Sequence, residues 1–241
     1  MRRALLLLAG LLAWPSPLWA TARDFNGTTD VITFASTAQN KFSFSAWFTI
    51  DGNGDSSFPR LIENPGYAIY LPRGAQTECT NCLVFASQRD TTCGRWTTAN
   101  SSIVNGGTYH VVVSYDSTST SNDPDIWLNG VLISETEQRT PAGTQITNTG
   151  TGYLGNNEAL TRSFDGKLAF VEVFDRTLTA DNAAALYQAP GGSGQLQAAF
   201  FWMNGASTSE RDYSGNGRTA TASGTTSVAT TLATLPTPEC R

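Results

Sequence analysis

In the run SETEQ, Glu135 and Glu137 stand two residues apart. On a β-strand that spacing puts both carboxylates on one face, and the ~5–5.5 Å separation of a retaining glycosidase is within their reach. A solvated hairpin end is the ordinary setting for the same pair. Glu172 and Asp175 in VEVFD are three apart and face opposite ways on a strand. The single histidine, His110, lies in the alternating run TYHVVVSY, where it is expected to pack within a strand. No G-x-S-x-G nucleophile elbow is present. In DGNGDSS, Asp51, Asn53 and Asp55 have the 1-3-5 spacing of a calcium loop, but the loop lacks glycine at its sixth place and glutamate at its twelfth. RDYSGNGRTATASG, from Arg211, has the glycines of a phosphate cradle without the Lys-Ser/Thr that should follow. There Asp212 and Ser214 start a turn, and Gly215 and Gly217 supply positive φ. These residues point away from catalysis.

Composition narrows the partners. Of 241 residues, 15% are charged, the net charge is −5, and only two lysines occur, Lys41 and Lys167. That balance excludes nucleic acid and anionic lipid, which select basic patches. The chain opens with MRR, an apolar run too short to span a bilayer, and PSPLWATA, the order of a secretory signal peptide over residues 1–22. Cleavage is expected after Ala22, with Ala20 as the alternative, giving a secreted or periplasmic protein. No later stretch reaches the roughly 20 apolar residues of a membrane span. Four cysteines in an exported chain imply two disulfides with three pairings. Cys79, Cys82 and Cys93 cluster while Cys240 ends the chain, so one of the three is expected to staple the Pro-rich tail, residues 233–241, to the domain. CTNC lacks both the helix start of a redox pair and the second ligand pair of a zinc site.

The elements that must position these residues are strands. DVITF, FSFSAWFTI, YAIYL, LVFAS, RWTTA, YHVVVSYD, DIWLNGVLIS, TGYLG and KLAFVEVF are short, β-branched and aromatic, and separated by Gly, Asn, Asp and Pro. They predict an all-β antiparallel sandwich or barrel. Asn129-Gly130 marks a hairpin, and TLTADNAAALY, with Thr179 as its cap, is the single helix.

RDFNGTTDVITF, FSFSAWFTI, GTYHVVVSYD, IWLNGVLI, YLGNN and FDGKLAFVEVFDRTLTADNAAALY occur in an order and spacing that closely resemble the laminin-G-like, concanavalin A-like lectin/glucanase domain, over roughly Arg23 to Tyr187. The resemblance implies a jelly roll, a two-sheet antiparallel β-sandwich with one short helix, over residues 23–232. Family members commonly open with a W-x-M/L-D/N phrase leading to D-x-S-G-N-G. Here FWMNGASTSERDYSGNGRTATASG follows the helix, so residues 202–224 are expected to supply those strands from the other end. The resemblance also implies one structural calcium, held by Asp24, Asn26 and Asp30. Ala169 and Phe170, however, occupy the two acidic positions of GKLAFVEV.

The expected function is an exported, non-catalytic carbohydrate-binding or adhesion module, with a glycan or surface polysaccharide as partner. Tyr67, Tyr70, Arg95 and Trp96 are expected to form its ligand face, because aromatic rings and hydrogen-bonding side chains grip sugars. A divergent glycan hydrolase or lyase, and a structural domain with a protein partner, are the alternatives.

Overall fold

The computed structural model describes residues 19–37, 39–54, 58–73, 76–203 and 208–231. Its elements are β1 (Trp19–Asn26), β2 (Val31–Thr37), β3 (Lys41–Ile50), β4 (Arg60–Glu63), β5 (Tyr67–Tyr70), β6 (Val84–Ser87), β7 (Gly94–Thr97), β8 (Thr108–Asp116), β9 (Asp125–Leu128), β10 (Val131–Ile133), β11 (Thr136–Arg139), β12 (Thr149–Leu154), β13 (Asp165–Phe174), α1 (Ala180–Gln188), β14 (Ala199–Phe201), β15 (Ser209–Glu210), β16 (Ala220–Ser223) and β17 (Thr226–Thr231). An eight-stranded sheet runs β10-β9-β8-β3-β13-β1-β17, with β14 added to β13. A nine-stranded sheet runs β11-β7-β6-β5-β4-β12-β2-β16-β15. Neighbours are antiparallel, and the two sheets enclose one core, giving the jelly-roll sandwich with one short helix that the sequence predicts.

Alternation decides what each strand buries. In β3, Phe42, Phe44, Ala46 and Phe48 enter the core between the sheets. The intervening Trp47 faces outward, where Tyr187 of α1 stacks on it at 5.3 Å. Helix α1 is held by the predicted cap: Thr179 Oγ1 accepts from Asn182 N–H, and Asn182 Oδ1 accepts from Thr179 N–H. Ala183 and Leu186 then pack on Val112, Trp127 and Phe174 of the eight-stranded sheet. At the predicted hairpin, Asn129 and Gly130 have φ of 51° and 78°, as a type I′ turn requires.

Other strands lack a legible pattern. A bulge between Arg60 and Ile62 lets Leu61 and Ile62 both enter the core. That breaks the period-two signal of β4. The expected signal peptide falls mostly on residues 1–18, outside the described residues, but Trp19–Ala22 pair with Thr231–Val228 of β17. Cleavage after Ala22 would leave Arg23 opposite Leu168 as the first paired residue.

The late segment serves both sheets: β14 joins β13, β16 joins β2 and β17 joins β1. Its SGNG turn cradles an anion, and the anion is the protein's own. Asp212 Oδ1 accepts from the backbone N–H of Phe200 and Ser214, and Oδ2 accepts from that of Arg218, at 2.8–3.0 Å. Burial would raise the Asp212 pKa, but these bonds and the Ser214 side chain hold it below the usual value.

The sheets are also tied by an ion pair between Arg23 of β1 and Glu210 of β15, 2% and 0% exposed. Removing one partner leaves a buried charge uncompensated, whereas replacing both need not. We expect Glu210→Gln to lower unfolding stability by about 3 kcal/mol and Arg23→Met/Glu210→Leu to recover most of it. Urea denaturation checks this; equal losses in the single and double variants would contradict it.

Candidate functional site

Helix α1 packs on the outer face of the eight-stranded sheet, and the recesses that could hold a ligand lie on the outer side of the nine-stranded sheet. The four residues expected to form a ligand face divide across that sheet. Tyr67 and Trp96 point into the core, 1% and 0% exposed, where Tyr67 stacks on Phe42 and Trp96 on Phe85. Their rings are core contacts, a correction imposed by alternation in β5 and β7. Tyr70 and Arg95 lie on the outer side of the sheet and do meet, with Tyr70 itself only 5% exposed. The Tyr70 hydroxyl donates to Glu78 Oε2 at 3.0 Å, and Arg95 pairs with the other oxygen of the same carboxylate.

This outer patch rests on a small apolar cluster of Ala68, Tyr70, Cys79, Cys82, Val84 and Ala86. Cys79 and Cys82 are joined, so their disulfide closes a tight loop on that face. Cys93 Sγ donates to Gln88 Oε1 at 3.0 Å, and Cys240 lies outside the described residues. A recess of about 180 Å³ around Tyr70 is walled by Phe58, Arg60, Glu78, Arg95 and Arg162. Arg60 lies 4.4 Å over the Tyr70 ring and Arg162 5.3 Å over that of Phe58. Burial raises the Tyr70 pKa against the opposing charges of Arg95, Arg60, Arg139 and Arg162, so its hydroxyl stays a donor at neutral pH.

The Arg60–Glu63 pair, 2.7 Å, joins this recess to a larger cleft of about 540 Å³. Glu63, Asn64, Gln88, Thr151, Tyr153 and Glu158 line the cleft. The β12–β4 register places Tyr153 opposite Glu63 and fixes this wall. Carboxylates, amides, a hydroxyl and one half-exposed ring suit a ligand rich in hydroxyl groups. Sequence reasoning missed Glu63, Tyr153 and Glu158. TGYLG signals a strand but not which face carries its tyrosine, and the β4 bulge hides Glu63.

The other candidates do not converge there. Glu137 lies in the exposed strand β11 and Glu135 just before it, and neither lines this cleft or the Tyr70 recess. Asp175 is exposed and bonds Arg176, whereas Glu172 is 1% exposed and accepts from Gly191 N–H and Gln197 Nε2. His110 is buried against Trp47 and Tyr187, with Ser45 Oγ 3.0 Å from Nε2. Burial lowers its pKa to about 3, so the ring is neutral.

Asp24, Asn26 and Asp30 do not form a calcium donor set. Asn26 Oδ1 accepts from Thr28 N–H and Oγ1, and Asp30 Oδ2 accepts from Asn26 N–H, which makes a turn of these residues. Asp24 lies 3.4 Å from the Lys167 ammonium, which also pairs with Asp51. That ammonium therefore stands with the carboxylates of Asp24 and Asp51. Burial would lower the Lys167 pKa, but the bond to Asp51 and the Asp24 and Asp51 charges raise it. Asp30 Oδ1 is buried without a partner, yet among the described residues no three Asp, Glu, His or Cys gather to hold a metal. In the second loop, Asn53 Oδ1 accepts from Asn105, and Asp55 lies outside the described residues.

Two antiparallel sheets packed as a jelly roll define the concanavalin A-like class of fold. The chain belongs to the concanavalin A-like lectin/glucanase superfamily, whose pattern matches residues 26–184. A solved structure from Bacteroides ovatus, provisionally described as a carbohydrate-binding protein, superposes with a TM-score of 0.62 at 16% identity over 88% of this chain. The chain spans 60% of the length of that protein. The heptameric SAP-like pentraxin of Limulus polyphemus gives a TM-score of 0.50 at 15% identity, covering 89% of this chain and 97% of the pentraxin. These likenesses are of fold. No curated protein sequence matches the chain.

Two outcomes follow. The Glu172 pKa is raised to about 7 by burial, against the bonds from Gln197 and Gly191. Its contribution to stability is complete below its ordinary value of 4.5 and is lost as pH rises through about 7. Across that window it amounts to about 3 kcal/mol. Glu172→Gln should flatten this decline, and denaturation at a series of pH values checks it. Secondly, the melting temperature should not change on adding calcium or chelator, and Lys167→Ala should lower it; a calcium-dependent rise in the unmutated protein would contradict the Lys167 reading.

Proposed function

We propose that this chain is an exported, non-catalytic carbohydrate-binding module that holds a glycan on the outer face of its nine-stranded sheet. The observation that carries this reading is the polar cleft, about 540 Å³, with Glu63, Tyr153 and Glu158 on its walls and the Tyr70 recess adjoining. Sugars present alternating hydroxyl edges and weakly apolar faces. Carboxylates and amides bind the edges, and a tyrosine ring supports a face. The superfamily and the description of the Bacteroides ovatus protein favour the same reading. A non-catalytic role fits a cleft whose Glu63 is committed to Arg60 and a histidine sealed inside the fold. Export fits the signal-like start and the Cys79–Cys82 disulfide. Among the described residues no helix is long and apolar enough to cross a membrane.

The test is a glycan array with the exported form, run with calcium and repeated with chelator. We expect binding that survives chelation and weakens about tenfold or more in Tyr153→Ala, a loss of about 1.4 kcal/mol. Unimpaired binding by that variant would move the site elsewhere, and no binding at all would favour a protein partner. Intact-mass analysis of secreted material should show a chain starting at Arg23.

A further inference from the structure

The segment joining β6 to β7 has two sides. Gln88 lines the cleft described above, while the next residue, Arg89, lines a separate cavity of about 630 Å³. Facing them, Ile146 lines the cleft and Gln145 the cavity, with Arg89 bridged to Gln145 as in an antiparallel ladder. The two recesses therefore share one wall.

Arg89 is 6% exposed. Its Nη1 donates to Gly143 O at 2.8 Å, and its Nη2 to Ser117 O at 2.8 Å. Weaker contacts reach Tyr115 Oη and Ser119 O at 3.3 and 3.4 Å. Its Nε is buried with no hydrogen-bond partner. Among the described ion pairs none involves Arg89, and no carboxylate lines the cavity. The neighbouring Asp90 binds Thr144 N–H and Thr91 Oγ1 instead. A guanidinium out of water, hydrogen-bonded only to neutral oxygens and with the adjacent Asp90 as its nearby carboxylate, is an incomplete arrangement. Its positive charge suits a carboxylate or a sulfate, and Asn40 and Ser119 bring an amide and a hydroxyl to the same walls.

We propose that this cavity is an oxyanion site that receives the carboxylate or sulfate group of an acidic sugar, with Arg89 as the charge partner. The proposal rests on the glycan reading of the adjoining cleft and narrows its ligand class to acidic glycans. A glycan held in the cleft brings its charged substituent across the shared wall, so neutral and charged parts of one ligand bind on either side of it.

The test compares uronate-containing and sulfated oligosaccharides with their neutral counterparts by calorimetry, on the unmutated protein and on two variants. Arg89→Gln removes the charge but also disturbs the bonds that hold Gly143 and Ser117. Thr120→Glu leaves Arg89 in place and sets a carboxylate at the exposed edge of the cavity. We expect at least one acidic class to bind about tenfold or more tighter than its neutral counterpart. Which class does so identifies the group. Thr120→Glu should abolish that preference while keeping neutral binding. Equal affinity for acidic and neutral glycans would overturn the oxyanion site and leave the glycan reading intact. If no glycan binds, thermal shift with inorganic sulfate at constant ionic strength decides the site alone. Stabilisation lost in Thr120→Glu would support an oxyanion site, and none in the unmutated protein would overturn it.

Discussion

The stack of Phe42 on Tyr67, ring centroids 4.3 Å apart and nearly parallel, joins the two sheets at the centre of the core. Phe85, Trp96 and Tyr115 pack around it, and Trp96 Nε1 donates to Asp123, so even the polar edge of the largest ring is satisfied. Strand side chains alternate. Once Tyr67 and Trp96 are committed inward, Tyr70 and Arg95 must face outward. The outer patch is a geometric consequence of the core, and the glycan-binding reading depends on that division.

A second constraint is the covering of one sheet. The eight-stranded sheet carries apolar residues on its outer face as well, among them Trp47, Trp127 and Phe174, and these need a lid. Helix α1 supplies it. His110 under that lid and Glu172 beneath the segment that follows it are kept largely from solvent, and burial drives both towards their neutral forms, the histidine downward and the carboxyl upward in pKa. What resembles catalytic equipment in the sequence is a buried polar layer between the sheet and its cover.

Several charges that a bound ion could meet are met within the chain. Asp212 takes the backbone donors of the glycine-rich turn, and Lys167 sits among the acids of the β1 and β3 ends. Arg23 and Glu210 neutralise each other inside the sandwich. Against that pattern, Arg89 and Arg73 are buried guanidiniums bonded to carbonyl oxygens, with no ion pair among the described residues.

The sequence by itself determined the class of fold. Period-two runs such as YHVVVSYD, the Asn129-Gly130 turn and the Thr179 cap are local signals, written in residues that are neighbours in the chain. It also marked Tyr70 and Arg95, but with Tyr67 and Trp96, because alternation gives two faces without naming the inner one. Tertiary structure decided that, since only the packing of one sheet on the other selects a face. It likewise decided the cleft. Glu63, Tyr153 and Glu158 are scattered along the chain, and the β12–β4 pairing that unites two of them runs through a bulged strand with no legible period. The fate of the candidate calcium ligands also rested on a distant residue, for Lys167 meets Asp24 only because β13 pairs with β1.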